Sequence, residues 1–351
     1  MEPKYLYKSK IDLTGLSFSK MRQIILAQVK RSNLNIIEDK LNCLSIETAH
    51  GVLGLRKGKL CETAIIVICK DVRNIFIMKN IIIKQLEKLM PELSKKIRWS
   101  DGEKLGELPP NFQFARVLNI EKISSTFLRV VLEGENFSAY NDKSIHFRLV
   151  LPPKDIEPIW PTIAANGSIS WPQGLKSLHK PVYTTRFLDH NKNIITTDVY
   201  MHEGGKITEW ANEVREGCRK RNIVGITGPV GAGLLFSDKV LMATDETGFP
   251  AASRILENLN QKTEGRIILE TKNGQLNYPI KIPKSMSIQL LSRNKGESLK
   301  NETLKILTTY KNHKIWFAGE KQQANAVREH AKKAGFDTKI LRISSFWTAQ
   351  I

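Results

Sequence analysis

Three observations predict a multidomain protein that combines α+β and α/β parts. Two strand-like runs flanked by helical patterns fill the N-terminal third, and β-branched runs separated by turn residues fill the middle. From Lys239 onward strands and helices alternate. The first pattern is a small α+β domain. The second suggests an antiparallel barrel, and the third is the mark of a parallel sheet in a Rossmann-like α/β domain. A chain of 351 residues is long enough for two or three such cores. The expected boundaries are 1–105, 110–236 and 237–351.

The elements follow in order. Met21, Ile24, Ile25 and Val29 recur at helical spacing and predict a helix over 18–32. Gly51 to Leu55 and Leu60 to Cys69 read as strands joined by Arg56-Lys-Gly-Lys59, a hairpin signal. A helical pattern runs from Val72 to Leu89 and ends near Pro91, with Ile97 to Trp99 as a last short strand. Residues 101–110, rich in Gly and Pro, read as a linker. Barrel strands are expected at Ala115–Ile120, Thr126–Glu133, His146–Leu151, Val182–Leu188 and Ile194–Met201, with 152–180 a long loop carrying Trp160 and Trp171. A helix over 206–215 and a strand over 222–227 complete this region. In the last region strands are expected at 240–243, 265–270, 287–291, 314–318 and 337–343, with helices at 250–259 and 320–334.

Apolar content of 41% and charge of 25% are those of an ordinary globular protein. The net charge of +19 raises nucleic acid, anionic membrane or an anionic substrate as partners. The excess is spread along the chain: residues 1–108 hold 20 basic and 12 acidic side chains, leaving 34 and 23. No basic arm stands out, which argues against nucleic acid, and a lysine-rich proteome explains the bias equally well. Cys43, Cys61, Cys69 and Cys218 have no metal-type spacing and read as reduced, mostly buried thiols. The seven histidines form no ligand cluster. No signal peptide is apparent, and the most apolar stretch, Ile75 to Ile83, is too short to span a bilayer. A cytoplasmic monomer is expected.

Two stretches stand out chemically. Pro181-Val-Tyr-Thr-Thr-Arg-Phe187 is strand-like and presents an aromatic ring, hydroxyls and a guanidinium. His202-Glu-Gly-Gly-Lys-Ile-Thr-Glu-Trp-Ala211 passes a Gly-Gly turn into a helix, with Thr208 expected to cap it. Free amides at a helix start receive a pyrophosphate, and Gly204 and Gly205 let a ligand approach the backbone. Alone, Tyr183, Thr184 and Arg186 read more often as ordinary strand residues than as ligand contacts. Gly228-Pro-Val-Gly-Ala-Gly233 fails as a phosphate loop, because Leu234-Leu235 stand where Lys-Ser/Thr is required. It reads as a turn between two domains.

The two stretches in this order, followed by a strand–loop–helix unit, resemble the siderophore-interacting proteins, a family of flavin-dependent ferric-siderophore reductases built like ferredoxin reductases. The family's Arg-x-Tyr-Thr run corresponds to Pro181-Val-Tyr-Thr184, and its His with Gly-Pro-Ala-Ser-x-Trp-Ala to His202 with Gly205-Lys-Ile-Thr-Glu-Trp-Ala211. Its Gly-Asp-Glu-Thr-Ala-Leu-Pro-Ala segment is similar to Thr244-Asp-Glu-Thr-Gly-Phe-Pro-Ala251. Trp316-Phe-Ala-Gly-Glu320 and Ser345-Phe-Trp-Thr348 match its two C-terminal motifs. The likeness covers about residues 112–351; residues 1–105 resemble a small α+β domain of unknown function found alone or fused ahead of such reductases.

The resemblance implies a Greek-key FAD barrel, an NADPH- or NADH-binding α/β domain, and a ferric siderophore or other ferric chelate as substrate. It places Tyr183 on the isoalloxazine, and Thr184, Arg186, His202, Gly204, Gly205, Lys206, Ile207, Thr208 and Trp210 around the ribityl chain and diphosphate. Thr244, Asp245, Glu246 and Thr247 fall on the nicotinamide side, Trp347 at the flavin edge, and Arg148 of His146-Phe-Arg-Leu149 on the ferric chelate. Pro181 stands where the family has an arginine, leaving Lys180 or Arg186 to supply that charge; Lys206 replaces a proline, Thr244 a glycine and Thr348 a terminal arginine. Arg293 and Lys295 read either as solvated loop charges or as contacts to a 2′-phosphate. Haem or an electron-transfer partner as acceptor, ferredoxin as donor, and a non-catalytic module binding an anionic ligand are the rival readings.

Overall fold

The computed structural model describes residues 7–32, 34–58 and 63–349. It resolves into two compact units, one formed by the chain up to Phe112 with Pro152–His179, the other by Gln113–Leu151 with the chain from Lys180.

The first unit begins with β1 (Tyr7–Leu13), α1 (Phe18–Ser32), β2 (Asn35–Lys40), β3 (Cys43–Thr48), β4 (Gly51–Lys57), β5 (Thr63–Cys69), α2 (Val72–Leu89) and α3 (Pro91–Lys96). The strands form one antiparallel sheet in the order β1-β5-β4-β3-β2. Along β1, Ser9, Ile11 and Leu13 are buried, the alternation of a strand with one covered face. Ile65, Val67, Leu44 and Leu55 join them against Ile75, Ile82, Ile83 and Leu86 of α2. Asp71 caps α2, its side chain accepting from the Asn74 amide at 2.7 Å. The expected strand at Ile97–Trp99 does not form. Ser100, next in the chain, exchanges bonds with Lys10 of β1 at 2.9 Å, while Trp99 buries its ring in the core and donates its indole N–H to the Asn166 carbonyl at 3.1 Å. Cys61 and the hairpin turn from Lys59 lie outside the described residues.

At Phe112 the chain leaves this unit. It forms β6 (Phe112–Lys122), β7 (Phe127–Gly134) and β8 (His146–Val150), then returns for residues 152–179. The returning stretch is more than the expected loop. It carries a two-stranded ladder, β9 (Thr162–Ile163) with β10 (Ile169–Ser170). It has no core of its own and takes partners from the N-terminal residues. Asn166 Nδ2 donates to Ser94 O (3.0 Å), and Ile163 exchanges backbone bonds with Gly106 and Glu107. Below it Lys79 contacts Asp101 at 2.7 Å and Glu103 at 2.8 Å, with its ammonium 5.3 Å from the Trp99 ring centroid. A Cβ on Gly167 would come within 2.6 Å of Glu103 and 3.1 Å of Trp99.

The second unit continues with β11 (Val182–Thr184), β12 (Phe187–Asp189), β13 (Ile194–Tyr200), α4 (Lys206–Arg215) and β14 (Ile223–Val230). Its seven-stranded sheet runs β11-β8-β14-β6-β7-β13-β12 and is antiparallel. The single strand expected over 182–188 is broken at Thr185-Arg186. The Thr185 amide bonds Ile145 O at 2.8 Å and the Arg186 amide bonds Thr196 O at 2.7 Å, so the chain changes neighbours within two residues. β11 and β12 thereby lie at opposite ends of the strand order, and the sheet curls into a barrel. The expected turn at 228–233 is half strand, since β14 runs through the cis Gly228–Pro229 bond to Val230.

β15 (Lys239–Asp245), α5 (Phe249–Glu257), β16 (Glu264–Thr271), β17 (Met286–Ser292), α6 (Leu299–Leu307), β18 (Lys314–Glu320), α7 (Lys321–Lys333) and β19 (Leu341–Trp347) complete the unit. Their sheet is parallel, in the order β17-β16-β15-β18-β19. The strand order reverses between β15 and β18, and in open α/β sheets ligands bind outside the carboxyl ends of the strands at such a point. The last strand begins at Leu341 rather than 337, because Asp337 caps a 3-10 turn at Thr338–Ile340.

Candidate active site

The site is built from three strand ends and one helix start, all in the second unit. On β11, Tyr183 faces Phe147 in register and packs partly against the barrel core. Burial pushes its phenol well above the ordinary range. Thr184 is buried, with Oγ1 3.4 Å from His146 Nδ1. Burial, reinforced by Arg254, holds the His146 imidazole down at about 4, so it is neutral near pH 7. Its ring stands edge-on to Phe346 at 5.6 Å, which links β11 to the C-terminal strand.

At the helix start, Gly205 is the N-cap and brings no side chain. Gly204 adopts φ +69°, where other residues are strained. A Cβ on Gly205 would approach the His202 ring to 2.7 Å. Thr208 was the expected cap, but it is the third residue of the helix; its hydroxyl turns back to accept the His202 amide at 3.3 Å. The first turn of this ten-residue helix therefore has no side-chain cap. Ile207 and Trp210, expected near the cofactor, are core residues. Trp210 is fully buried in the barrel and donates Nε1 to Arg221 O at 3.0 Å. They orient the helix, while Lys206 stays exposed.

At the carboxyl end of β15, Thr244 is fully buried, and a Cβ on Gly248 would overlap its hydroxyl. The Asp245 carboxylate accepts the Thr247 amide at 3.0 Å, the Thr247 hydroxyl at 2.5 Å and the Trp347 indole N–H at 2.7 Å. Burial pushes its carboxyl up to about 6 against those three donors. Trp347 keeps 42% of its surface exposed. Glu246 accepts the Lys272 amide at 2.8 Å and both Arg293 Nη atoms at 2.7 Å, and Arg293 also reaches Glu270 at 3.1 Å. Arg293 is therefore neither a solvated loop charge nor a free phosphate contact. Its guanidinium neutralises two carboxylates that burial would otherwise strand.

Tyr200, at the end of β13, ties these pieces together. Burial and the Glu246 carboxylate push its phenol up, with Arg293 acting in the opposite sense, and its ring lies 6.5 Å from His202. Contacts thus run from α4 through His202 and Tyr200 to Glu246, Asp245 and Trp347. They return through Phe346 and His146 to β11. Arg186 points elsewhere. It is 5% exposed and donates to Glu257 at 2.5 and 2.7 Å, Ser253 at 2.9 Å and Tyr278 at 3.3 Å. Arg148 is exposed on β8 and donates to Lys180 O at 3.0 Å. Reasoning from sequence gave Tyr200, His146 as a ring contact, and Phe346 no role; only the position of each beside a named motif residue could have flagged them.

The residues fit a flavin dinucleotide. A glycine-lined helix start with open amides suits a diphosphate, and an aromatic ring with a hydroxyl lies on the strand linked to it. A barrel followed by a five-stranded parallel sheet, with its site at the sheet's switch point, defines the class of two-lobed flavin and pyridine-nucleotide reductases. Within that class the chain belongs to the siderophore-interacting protein family. The description "Siderophore-interacting FAD-binding domain" matches residues 116–233 and "Siderophore-interacting protein" matches 237–350. A relative named NADPH-dependent ferric-chelate reductase, from Escherichia coli K12, is 24% identical over 246 residues, 68% of this chain and 94% of that protein. Ferric vibriobactin reductase ViuB of Vibrio cholerae is 28% identical over 184 residues, 50% of this chain and 65% of that one. The solved structure of the siderophore-interacting protein SipS from Aeromonas hydrophila superimposes with a TM-score of 0.54 at 18% identity, covering 69% of this chain and 93% of that one. Among the described residues, no helix is long and apolar enough to cross a membrane.

Proposed function

We propose that this chain reduces ferric chelates, siderophores among them, with FAD as its redox group and NADPH as donor, in the cytoplasm. The observation that supports this best is the closed run of contacts from the α4 start through His202, Tyr200, Asp245 and Trp347 back to β11. It gathers in one place the residue types that a diphosphate, a flat ring and a nicotinamide each need. When bound, FAD would supply an acceptor for the hydride and a donor of single electrons to Fe(III). Ferrous iron, a softer and less charged ion, is held less tightly by hard oxygen chelators and leaves.

The chain's own residues bind and position. The amides of Lys206 to Thr208 receive the diphosphate, with the Lys206 ammonium adding charge. Tyr183 offers a ring face and Thr184 a hydroxyl beside the neutral His146. Asp245 holds the Trp347 indole over the sheet edge. Lys272 and Lys295, after the β16 and β17 ends, would offer their charge to a 2′-phosphate, since Arg293 is committed to glutamates. Arg148 offers an exposed positive charge to an anionic chelate. Residues 110–236 would carry the flavin, 237–351 the pyridine nucleotide, and 1–105 a separate domain.

The test is the visible spectrum of the protein with and without FAD, then anaerobic addition of NADPH or NADH. A ferric chelate follows, with a ferrous-specific trap. Flavin bands that bleach and recover with Fe(II) release are expected. A protein that stays colourless with FAD overturns the reading.

A further inference from the structure

Helix α5 begins at Phe249, two residues after the Asp245-Glu246-Thr247 segment, and ends at Glu257. Its outer end grips the residues that follow β11. Arg254 donates one Nη to the Thr185 carbonyl and the other to Asp142 at 2.9 Å. Glu257 receives both Nη atoms of Arg186, and Ser253 accepts one of them at 2.9 Å. Thr185 and Arg186 are 1% and 5% exposed, so the bonds from Arg254 to Thr185 O and from Arg186 to Ser253 form away from water, where geometry is held most firmly, while Glu257 and Asp142 close the clamp from its more exposed side. Arg186 is held again on its Nε side by Tyr278, whose hydroxyl donates to the buried Asp198 at 2.6 Å. Ser253, Arg254, Glu257 and Tyr278 all belong to the α/β part, and the barrel's own Asp198 lies farther off, 3.9 Å from Arg186 Nε.

We propose that α5 is the element that fixes the flavin-facing strand relative to the nicotinamide-side turn, with Arg254 and Glu257 as positioning residues. The inference rests on the reductase reading above. One helix follows directly on the 3-10 turn Glu246–Gly248 and carries the Thr185-Arg186 clamp at its far end. The distance between β11 and the β15 turn is then set by α5 rather than by loop contacts. Hydride transfer needs donor and acceptor aligned to a fraction of an ångström, and a misplacement of about 1 Å costs on the order of 100-fold. A paired planar fork is the group that fixes direction as well as distance.

The experiment compares wild type, Glu257→Gln and Arg254→Lys as full chains. Each is titrated with FAD, and the FAD-saturated fraction is mixed anaerobically with NADPH in a stopped-flow instrument. Glu257→Gln should weaken FAD about tenfold and slow the limiting rate of flavin reduction by about 10- to 100-fold. The NADPH concentration for half-maximal rate should move less than twofold, and the visible circular dichroism of bound flavin should change. Arg254→Lys, which keeps the charge but not the fork, should fall between. If both variants lose thermal stability while their FAD-saturated rate and dichroism match wild type, the two residues are merely structural and the inference is overturned. Should Glu257→Gln not fold, Arg254→Lys alone decides by the same readouts. A wild type that takes up no FAD overturns the reductase reading and this inference together; a wild type that is reduced normally, with variants that match it, overturns the inference alone.

Discussion

A nearly fully buried cation in each unit, Lys79 in one and Arg186 in the other, is handled differently. Lys79, 3% exposed, lies in the first unit; Arg186, 5% exposed, lies in the second. Lys79 is a compact charge on a flexible stem, and its three donors meet three oxygens of Asp101 and Glu103. Those carboxylates are local, following the buried Trp99 that pins the Pro152–His179 stretch. Arg186 uses a flat fork to reach Glu257, 71 positions away, and so joins barrel to α/β lobe. A point charge gathers a turn, whereas a fork aligns two bodies. The type of cation at a buried site therefore says what the site is for.

The largest effects should come from removing either charge. Lys79→Met strands two carboxylates, one of them only 9% exposed, and should cost about 4 kcal/mol. Arg186→Met leaves Glu257, 28% exposed, to be partly solvated, and should cost about 3 kcal/mol. Urea denaturation measures both. Equal and small losses would break the comparison. Gly167→Val tests the Lys79 side without touching charge. The residue has φ +81° and no room for a Cβ, so a loss of about 2–3 kcal/mol is expected. Faster tryptic cleavage after Lys154 or Lys176 should accompany it.

On the other side, Gly248→Ala should cost about 2 kcal/mol through its clash with Thr244, and adding Thr244→Gly should recover part of that. Melting temperatures of the two variants check the order. The smallest effect is a proton linkage. Asp245 is raised from 3.8 to about 6, so its contribution favours the fold at low pH and is lost as pH rises through 6. Relative to Asp245→Asn, the wild type should lose about 1.5 kcal/mol between pH 5 and 7.5. His146, depressed to about 4, works oppositely: its contribution is present above about 6.5 and lost as pH falls toward 4. Chemical denaturation at the two pH values separates the signs.

Periodicity in the sequence located α1, α2 and α4 and the parallel strands, because their apolar faces are continuous. β2 escaped notice since nearly all its residues are exposed, and an edge strand without a covered face leaves no alternation. β1 did alternate, with Lys10 and Asp12 between buried residues, and was legible in principle. The site motifs were legible as local strings. Their partners were not: Glu257 answers Arg186, and Glu246 and Glu270 answer Arg293, across distances that no local pattern carries. The side chains of Trp210 and Ile207 face the core, and a motif side chain that does so looks in sequence like one that faces a ligand.

The two-residue step between β11 and β12 has a further consequence, for evolution rather than energetics. Before β11 the chain accommodates the whole Pro152–His179 excursion; after it, Thr185 and Arg186 alone bridge opposite ends of the strand order. Length can therefore vary more ahead of β11 than directly after it. Natural variants of this architecture should collect insertions ahead of Pro181 and none between Thr184 and Phe187, so the strand acts as a one-way gate for new sequence.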